Sequence, residues 1–350
     1  MPTTLEKILI IKPSSLGDIV LALPALSALR RNFPDAQISW LIRPEFGPLL
    51  ENHPYLNEII SFDRKFLGKA WYHPKAFASL VSLILRLRRS KFDAVFDFQG
   101  LFRTACLAYL SGCKIRFGIA NARELAHLFY THKVVQDQNC IHLVDYYLKI
   151  IKAAGATNVE VKFEIPVNPT DVDSANRLLA SHDIRAGDYV VFVPGSAHSD
   201  KCWPVERFAS LADRISSKFD LPIISVGTES VKSIVDQIKN LTDVQIANLA
   251  GLTSLGELIA LLKTAKLVVS NDTGPGHIAA ALGTPLVMMF SWSNPARIAP
   301  YGRAECMVAR EPYSRGLKIK STDPKHSIKS ITVDEVFQKV CEQIRGSITF

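Results

Sequence analysis

Short runs of consecutive apolar residues alternate along the chain with longer segments in which apolar residues recur every three or four positions. The short runs predict buried strands, and the longer segments predict amphipathic helices. The predicted strands are Ile8–Ile11, Ile38–Ile42, Ile59–Phe62, Ala94–Phe98, Ile115–Phe117, Val190–Val193, Ile223–Val226, Leu267–Ser270 and Leu286–Phe290. The helical patterns include Ile19–Asn32, Pro204–Lys218 and Leu255–Lys263. This alternation predicts parallel sheets covered by helices.

The strand–helix alternation runs twice, and a polar segment with two prolines, Pro166–Asp171, separates the two series. A chain of 350 residues also suits two domains. We therefore predict two doubly wound α/β domains, residues 1–168 and 169–350. Two such domains facing each other form a cleft, and their ligands bind outside the carboxyl ends of the strands. Residues 332–345 predict a final helix, which either stays in the second domain or packs back on the first.

Charge is unevenly distributed along the chain. Lys and Arg number 41 against 33 Asp and Glu, a net charge of +8, and between Ile60 and Lys133 thirteen basic residues face four acidic ones. This excess suits an anionic ligand or an acidic membrane surface. Nucleic acid is disfavoured, because the aromatic residues are not interleaved with the basic ones. The segment Phe77–Arg89 has a pattern that could dock at a membrane interface, but we expect a buried helix with a basic end.

The sequence predicts a cytoplasmic protein. The longest apolar candidate for a membrane span, His277–Trp292, is interrupted by Gly283, Thr284 and Pro285. The first residues lack the apolar stretch and cleavage site of a signal peptide. The six cysteines form no C-x-x-C pair, which favours reduced thiols over disulfides or a zinc site.

The first candidate loop, Lys12–Asp18, joins the first predicted strand to the first helix. Gly17 permits a tight turn, and Asp18 lies at the start of the helix. Asp18 could cap the helix by accepting from its free amides. It could equally accept a proton from a substrate hydroxyl at the mouth of the cleft. The loop has no G-x-G-x-x-G pattern, so a nicotinamide dinucleotide site is not supported.

Three loops of the second half also follow predicted strands. The loop Val193–Pro204 offers small residues, including Ser196, and Lys201 as a point charge for a phosphate, although it could be a solvated loop. The loop Ser270–His277 places the amides of Thr273 and Gly274 at a helix start, which favours anion binding. Taken alone, Asp272 would be an ordinary helix cap, and His277 would be a packed residue of the helix. Glu229 could accept two ribose hydroxyls or be a first-turn acid.

Several of these motifs, in the same order, resemble glycosyltransferase family 9, the ADP-heptose:lipopolysaccharide heptosyltransferases. They are Ile8–Asp18 with Leu23–Leu26, Lys201–Pro204, and Asn271–Gly274 with His277 and Ala279–Ala281. The resemblance spans nearly the whole chain. It implies the GT-B architecture, two facing Rossmann-like doubly wound domains with a cleft between them. The acceptor then lies in the first domain and the nucleotide sugar in the second. Within the family, the first half most resembles the enzymes that add the first heptose to Kdo of lipid A. The segments that match their pattern are Asp97–Leu101, Arg116–Gly118 and Ala122–Glu124.

The resemblance implies an inverting transfer of heptose from ADP-heptose to the Kdo or inner-core region of lipopolysaccharide. Asp18 would be the general base. The implied donor-binding residues are Ser196, Lys201, Glu229, Asp272, Thr273, Gly274 and His277. The implied acceptor-binding residues are Ser15, Gly17, Arg64, Lys65, Gln99 and Arg123. We expect no metal or cofactor, since no His/Asp cluster at ligand spacing argues for a metal. The expected partners are the donor, an anionic Kdo–lipid A acceptor and the acidic inner-membrane face.

Two alternatives stay open at this point. One is another nucleotide-sugar transferase or epimerase of the same architecture. The other is a non-catalytic nucleotide-sugar-binding protein at the membrane surface. A binding protein has no need of a carboxylate opposite the diphosphate loop, so Asp18 distinguishes the two classes.

Overall fold

The structure, a computed structural model, describes residues 5–346. The contacts divide the chain into two compact units between Pro166 and Val167, where the sequence predicted a division after residue 168. Each unit contains one six-stranded sheet covered by helices.

The first unit has a parallel sheet in the order β3-β2-β1-β4-β5-β6. Its strands are β1 (Lys7–Ile11), β2 (Gln37–Ile42), β3 (Glu58–Ser61), β4 (Ala94–Asp97), β5 (Ile115–Ile119) and β6 (His132–Val134). Its helices are α1 (Leu16–Asn32), α2 (Arg64–Leu67), α3 (Pro74–Ser90), α4 (Phe102–Leu110) and α5 (Leu143–Ala153). The central strands β1 and β4 are almost wholly buried, as runs without alternation predict.

The second unit has a parallel sheet in the order β12-β11-β10-β7-β8-β9. Its strands are β7 (Val190–Val193), β8 (Ile223–Ser225), β9 (Ile246–Asn248), β10 (Leu267–Asn271), β11 (Leu286–Met289) and β12 (Met307–Val308). Its helices are α6 (Pro169–Ala180), α7 (Val205–Phe219), α8 (Lys232–Lys239), α9 (Leu255–Thr264), α10 (Gly274–Ala281), α11 (Pro295–Ile298) and α12 (Val333–Gly346).

All nine predicted strands are present, with ends within two residues of the prediction. The prediction missed β6, β9 and β12, which have two or three residues each. All three lie at a sheet edge. Edge strands are often short and need no continuous apolar run, so they leave little signal in the sequence.

The final helix, α12, belongs to the second unit. Val336, Val340 and Ile344 are buried in the same hydrophobic core as residues of α7 and of β11. Of the two placements that the sequence left open for this helix, the structure therefore gives the first, because the apolar face of α12 is already covered there.

The expectation of a buried helix over Phe77–Arg89 was wrong in part. Leu83 and Leu87 of α3 are buried against the sheet, but Phe77, Val81 and Leu85 are exposed. The apolar residues of this helix cover more of its circumference than the sheet can bury. None of the helices between residues 5 and 346 has both the length and the hydropathy needed to span a bilayer.

Candidate functional site

The predicted site residues lie where strands end. In the first unit Ser15, Gly17 and Asp18 follow β1, Arg64 and Lys65 follow β3, Gln99 follows β4, and Arg123 follows β5. In the second unit Ser196 and Lys201 follow β7, Glu229 follows β8, and Asp272, Thr273, Gly274 and His277 follow β10. Because each sheet is parallel, the carboxyl ends of its strands meet at one edge, where ligands of such sheets bind.

Asp18 lies in the first turn of α1. Its Oδ2 accepts hydrogen bonds from the backbone nitrogen of Ser15, at 3.3 Å, and from the Ser15 hydroxyl, at 3.1 Å. The Nζ of Lys12 lies 3.6 Å from the same oxygen. The Asp18 side chain is nevertheless 36% exposed, against 4% for Lys12. Asp18 thus supports the start of the helix and still presents a carboxylate that solvent can reach.

Lys12 is a functional candidate that the sequence analysis did not assign. Burial alone would lower its pKa, but the neighbouring Asp18, Tyr147 and Asp97 outweigh that effect and raise it. A positive charge therefore stands beside Asp18 throughout the neutral pH range. The available signal was a lysine directly after a fully apolar strand, inside the motif that carried the family resemblance.

The turn after β4 is built on a buried carboxylate. Asp97 accepts a hydrogen bond from the Tyr130 hydroxyl at 2.7 Å and from the backbone nitrogens of Gln99 and Gly100 at 2.8 and 3.2 Å. Burial raises the pKa of Asp97, and these hydrogen bonds partly offset the rise. Gly118 leaves room for the Tyr130 ring, since a Cβ there would lie 2.4 Å from it. The arrangement fixes the turn that carries Gln99.

The structure brings some predicted acceptor residues together and leaves others apart. A small depression of the first unit is lined by Pro13, Ser14, Arg43, Phe62, Arg64, Gln99, Leu101, Arg103 and Thr104. The Oε1 atom of Gln99 is buried and has no hydrogen-bond partner among the described residues. An unpaired acceptor beside arginines suits a hydroxylated anion. Lys65 and Arg123 are exposed and are not part of this lining.

Lys201, Asp272 and His277 form one cluster in the second unit. Lys201 Nζ lies 2.6 Å from Asp272 Oδ2, and His277 Nε2 lies 3.4 Å from Asp272 Oδ1. Asp272 and His277 are buried, and Lys201 is mostly so. Burial alone would raise the pKa of Asp272, but the contacts with His277 and Lys201 outweigh it and hold the pKa well below its usual range. Asp272 is therefore ionised, and its two oxygens hold the lysine and the histidine in place.

Asn271 ties the two loops of this cluster together and was not among the predicted site residues. Its side-chain oxygen accepts from the backbone nitrogen of Trp203 at 3.1 Å, and its side-chain nitrogen donates to the carbonyl of Pro194 at 2.7 Å. Asn271 is fully buried. One side chain at the end of β10 thus fixes both ends of the loop that carries Ser196 and Lys201.

The start of α10 is packed unusually close to the sheet. Gly276 lies so near β10 that a Cβ would stand 2.8 Å from the Ser270 hydroxyl. That hydroxyl also lies 3.1 Å from the hydroxyl of Thr273, the residue before the helix begins. The free amides of the first helical turn, including that of Gly274, make this end of α10 suited to an anion.

Glu229 and Ser196 complete the predicted donor residues. Glu229 is 72% exposed, and its nearest cation is Lys232 Nζ at 3.8 Å. Its carboxylate lies against Gly251, where a Cβ would meet Oε2 at 2.1 Å. Ser196 accepts a long hydrogen bond, 3.4 Å, from the backbone nitrogen of His198. Both residues are available for a ligand, but neither belongs to the Lys201 cluster.

Within residues 5–346, no three His, Cys, Asp or Glu side chains are placed to hold a metal ion. Asp272 and His277 lie side by side, but the ammonium group of Lys201 is the cation that contacts Asp272. That the reaction needs no metal remains a prediction.

Comparison with known proteins places this geometry in context. The model of glycosyltransferase family 9 (heptosyltransferase) matches residues 80–328. The chain is 27% identical to lipopolysaccharide core heptosyltransferase OpsX of Haemophilus influenzae over 309 residues, 87% of this chain and 84% of that protein. It is 28% identical to lipopolysaccharide heptosyltransferase 1 of Escherichia coli over 325 residues, 90% of this chain and 97% of that protein.

The fold is also similar to that of a solved structure, E. coli heptosyltransferase WaaC with ADP-2-deoxy-2-fluoro heptose. The TM-score is 0.72 and the sequence identity 25%, with 96% of this chain and 99% of that chain covered. The two parallel six-stranded sheets and this similarity confirm the predicted GT-B fold class.

Proposed function

The chain belongs to glycosyltransferase family 9, the heptosyltransferases, and we propose that it transfers heptose from ADP-heptose to the Kdo or inner-core region of lipopolysaccharide. The names of the two relatives support the lipopolysaccharide acceptor. The analogue in the WaaC structure supports an ADP-linked donor. The observation that carries the proposal is the Lys201–Asp272–His277 cluster beside the start of α10, whose lysine and free amides suit a diphosphate.

The donor diphosphate would bind at the start of α10. The amides of Thr273 and Gly274 would donate to its oxygens, and the helix dipole would favour its charge. Lys201 has three N–H donors, and Asp272 engages one side of its ammonium group. The remaining donors can reach a phosphate, while Asp272 holds the lysine in place and is itself held by His277. Ser196 would add a hydroxyl, and Glu229 would accept from the ribose hydroxyls.

Asp18 would act as the general base of an inverting transfer. The acceptor oxygen forms a bond to the anomeric carbon as the bond from that carbon to ADP breaks. The electron pair of the broken bond leaves with ADP, and Asp18 takes the proton from the acceptor hydroxyl. The exposed position of Asp18 supports this role, and the positive charge of Lys12 favours an anionic acceptor nearby.

The acceptor would be an anionic Kdo–lipid A precursor. Arg64 and Gln99 line the same depression, and Ser15 and Gly17 belong to the Asp18 loop. Lys65 and Arg123 are exposed and would reach the more distant charges of a large acceptor. The excess of basic residues in the first unit supports an acceptor with several negative groups. We keep the cytoplasmic location, peripheral on the inner-membrane face, and the independence from metals as parts of this proposal.

The proposal is tested by following ADP release from ADP-heptose in the presence and absence of Kdo–lipid A. We expect release that depends on the acceptor and is accompanied by a heptosylated product. ADP-heptose binding without release would favour the non-catalytic alternative. Release without an acceptor-linked product would exclude the proposed transfer.

A further inference from the structure

Exposed apolar side chains are concentrated on the first unit. Among residues 5–346, ten large apolar side chains are exposed between Trp71 and Val135, against four in the whole second unit. Five of the ten lie close together in sequence: Trp71, Tyr72, Phe77, Val81 and Leu85, which we call the α3 face. A surface of this kind on an otherwise ordinary domain indicates a contact with another apolar phase or molecule.

The α3 face is a continuous stripe. Phe77, Val81 and Leu85 are each four residues apart, so they lie on one side of α3 over about 12 Å of helix. Leu83 and Leu87 occupy the opposite part of the apolar arc and are buried against the sheet. The exposed stripe therefore does not contribute to the core of the domain.

Aromatic side chains lie at the amino-terminal end of this stripe. Trp71 is 86% exposed and packs edge-on against Tyr72, with ring centroids 4.6 Å apart. Both residues lie in the turn between α2 and α3. Trp and Tyr in such positions are typical of the interface between the headgroups and acyl chains of a bilayer.

Basic side chains border the stripe. Lys69, Lys75, Arg88 and Arg89 are exposed, and no carboxylate within residues 5–346 forms a salt bridge with any of them. Arg86 differs, because it pairs with Glu58 at 2.7 Å. The acidic residues of the same stretch are engaged elsewhere: Asp63 accepts from Phe66, Asp93 from the backbone nitrogens of Glu6 and Lys7, Asp97 from Tyr130, and Glu124 from Phe102.

From this combination we infer that the α3 face docks the enzyme on an anionic lipid bilayer. α3 lies in the plane of the interface, with its exposed apolar stripe among the upper acyl chains and its basic residues among acidic headgroups. A second copy of the chain fits less well, since a twofold contact through this stripe would bring the four basic side chains of each copy close to those of the other.

The inference gives the proposed function a physical setting. Arg64 and Lys65, two of the predicted acceptor residues, lie only a few residues before Trp71 in the chain. An acceptor anchored by acyl chains stays in the bilayer, so an enzyme held there meets it in two dimensions. This purpose rests on the proposed function, but docking itself requires no substrate and is tested without one.

The test uses flotation of the full chain with vesicles of phosphatidylcholine and phosphatidylglycerol, compared with phosphatidylcholine alone. We expect binding to the anionic vesicles and weaker binding to the neutral ones. Trp71 provides a second readout, because it is 86% exposed, whereas Trp40 and Trp203 are buried and Trp292 is half-buried. Its emission should shift to the blue on binding and be quenched by brominated lipid, and Trp71→Phe should remove most of that change.

Two variants separate the apolar and basic contributions. Phe77→Ser with Leu85→Ser removes two apolar groups, and its control is Leu241→Ser with Leu252→Ser, two exposed leucines of the second unit. Lys75→Gln with Arg88→Gln and Arg89→Gln removes three charges, and its control is Lys239→Gln with Lys320→Gln and Lys329→Gln. Each α3 variant should weaken vesicle binding on the order of tenfold or more, and each control should not.

Other outcomes would overturn the inference. Equal loss of binding in the α3 and control variants would mean a general attraction of a basic protein to acidic lipid. A monomer–dimer equilibrium that the Phe77→Ser, Leu85→Ser variant abolishes, without vesicle binding, would mean that the face is a subunit interface. ADP titration of the same proteins distinguishes the two proposals. Loss of vesicle binding with intact ADP binding would contradict docking alone, and loss of ADP binding with intact vesicle binding would contradict the proposed function alone.

Discussion

Asp18 and Asp272 occupy similar places in the two units and differ in almost every physical respect. Each follows a central strand of its sheet, stands near the start of a helix and has a lysine as its neighbour. Asp18 is partly exposed and lies 3.6 Å from its lysine, whereas Asp272 is buried and lies 2.6 Å from its own. A carboxylate that must take a proton needs access to substrate, whereas one that must hold a cation needs close contacts. The surroundings of the two aspartates therefore support the different roles that we propose for them.

The largest expected effect concerns Asp18 and is a change in the rate of transfer. In Asp18→Asn the amide oxygen can still accept from Ser15, so α1 keeps its start, but the variant lacks the proposed general base. We expect the transfer rate to fall about 10²–10⁴-fold. Steady-state rates with saturating donor and acceptor measure the change, with Asp35→Asn, an exposed acidic residue of the same unit, as the control. Wild-type turnover would remove Asp18 from the mechanism and leave the fold assignment untouched.

The second prediction concerns stability. Asp272→Asn leaves Lys201 and His277 without an anion in a buried place, and breaking one side of a buried ion pair costs about 3–5 kcal/mol in the free energy of unfolding. Asp334→Asn is the control: its carboxylate also pairs with a cation, Arg214, at 2.6 Å, but is 82% exposed, so its loss should cost less than about 1 kcal/mol. Chemical denaturation compares the two. Equal losses in the free energy of unfolding would show that the ion pair of Asp272 does not stabilise the fold more than an exposed pair.

The same aspartate predicts a pH dependence with a definite sign. The folded protein lowers the pKa of Asp272, so the carboxylate binds protons more tightly when the chain is unfolded. Its contribution to stability is therefore complete above the unfolded pKa of about 4 and is lost as the pH falls through the lower folded value. The contribution of Asp272 should stay level between about pH 5 and 8 and shrink only in acid. A loss of that contribution near neutrality would contradict the ionised state of Asp272.

The smallest expected effect concerns a third carboxylate, that of Glu229, and is a change in the KM for the donor. Glu229 is exposed and has a cation only at 3.8 Å, so its side chain contributes little to the fold. Glu229→Gln should raise the KM for ADP-heptose about 2- to 10-fold through weakened ribose hydrogen bonds, with little change in kcat or in unfolding. A fall in kcat with an unchanged KM would place Glu229 in the chemical step instead.

The sequence predicted the sheets well because the deciding signal is local. Fully apolar runs such as Val190–Val193 have few other uses than a buried parallel strand. The short edge strands were missed because an edge strand needs few apolar residues. The burial of α3 was predicted poorly because the apolar positions of a helix do not show how many of them the domain covers. Phe77 and Leu85 are exposed because they lie on the side of α3 away from Leu83 and Leu87, which pack in the core.

Much of the candidate site was predicted as a set of loops, while its contacts were not. The loop ends gave Asp18, Lys201 and Asp272 as candidates, but no spacing rule says that residues 71 positions apart form an ion pair at 2.6 Å. The same limit explains why Lys12 and Asn271 went unassigned. Their importance lies in what they touch across the fold, and a sequence without structure offers only their positions.

The most direct test of the comparison is a calorimetric titration of Asp18→Asn and Asp272→Asn with ADP, at a temperature where both variants are folded. The account predicts that Asp18→Asn binds ADP as the wild type does, because a base in the first unit does not hold the nucleotide. It predicts that Asp272→Asn binds ADP far more weakly, because Lys201 is no longer held in place. The reverse result, with ADP affinity lost in Asp18→Asn and kept in Asp272→Asn, would contradict the roles assigned to the two aspartates.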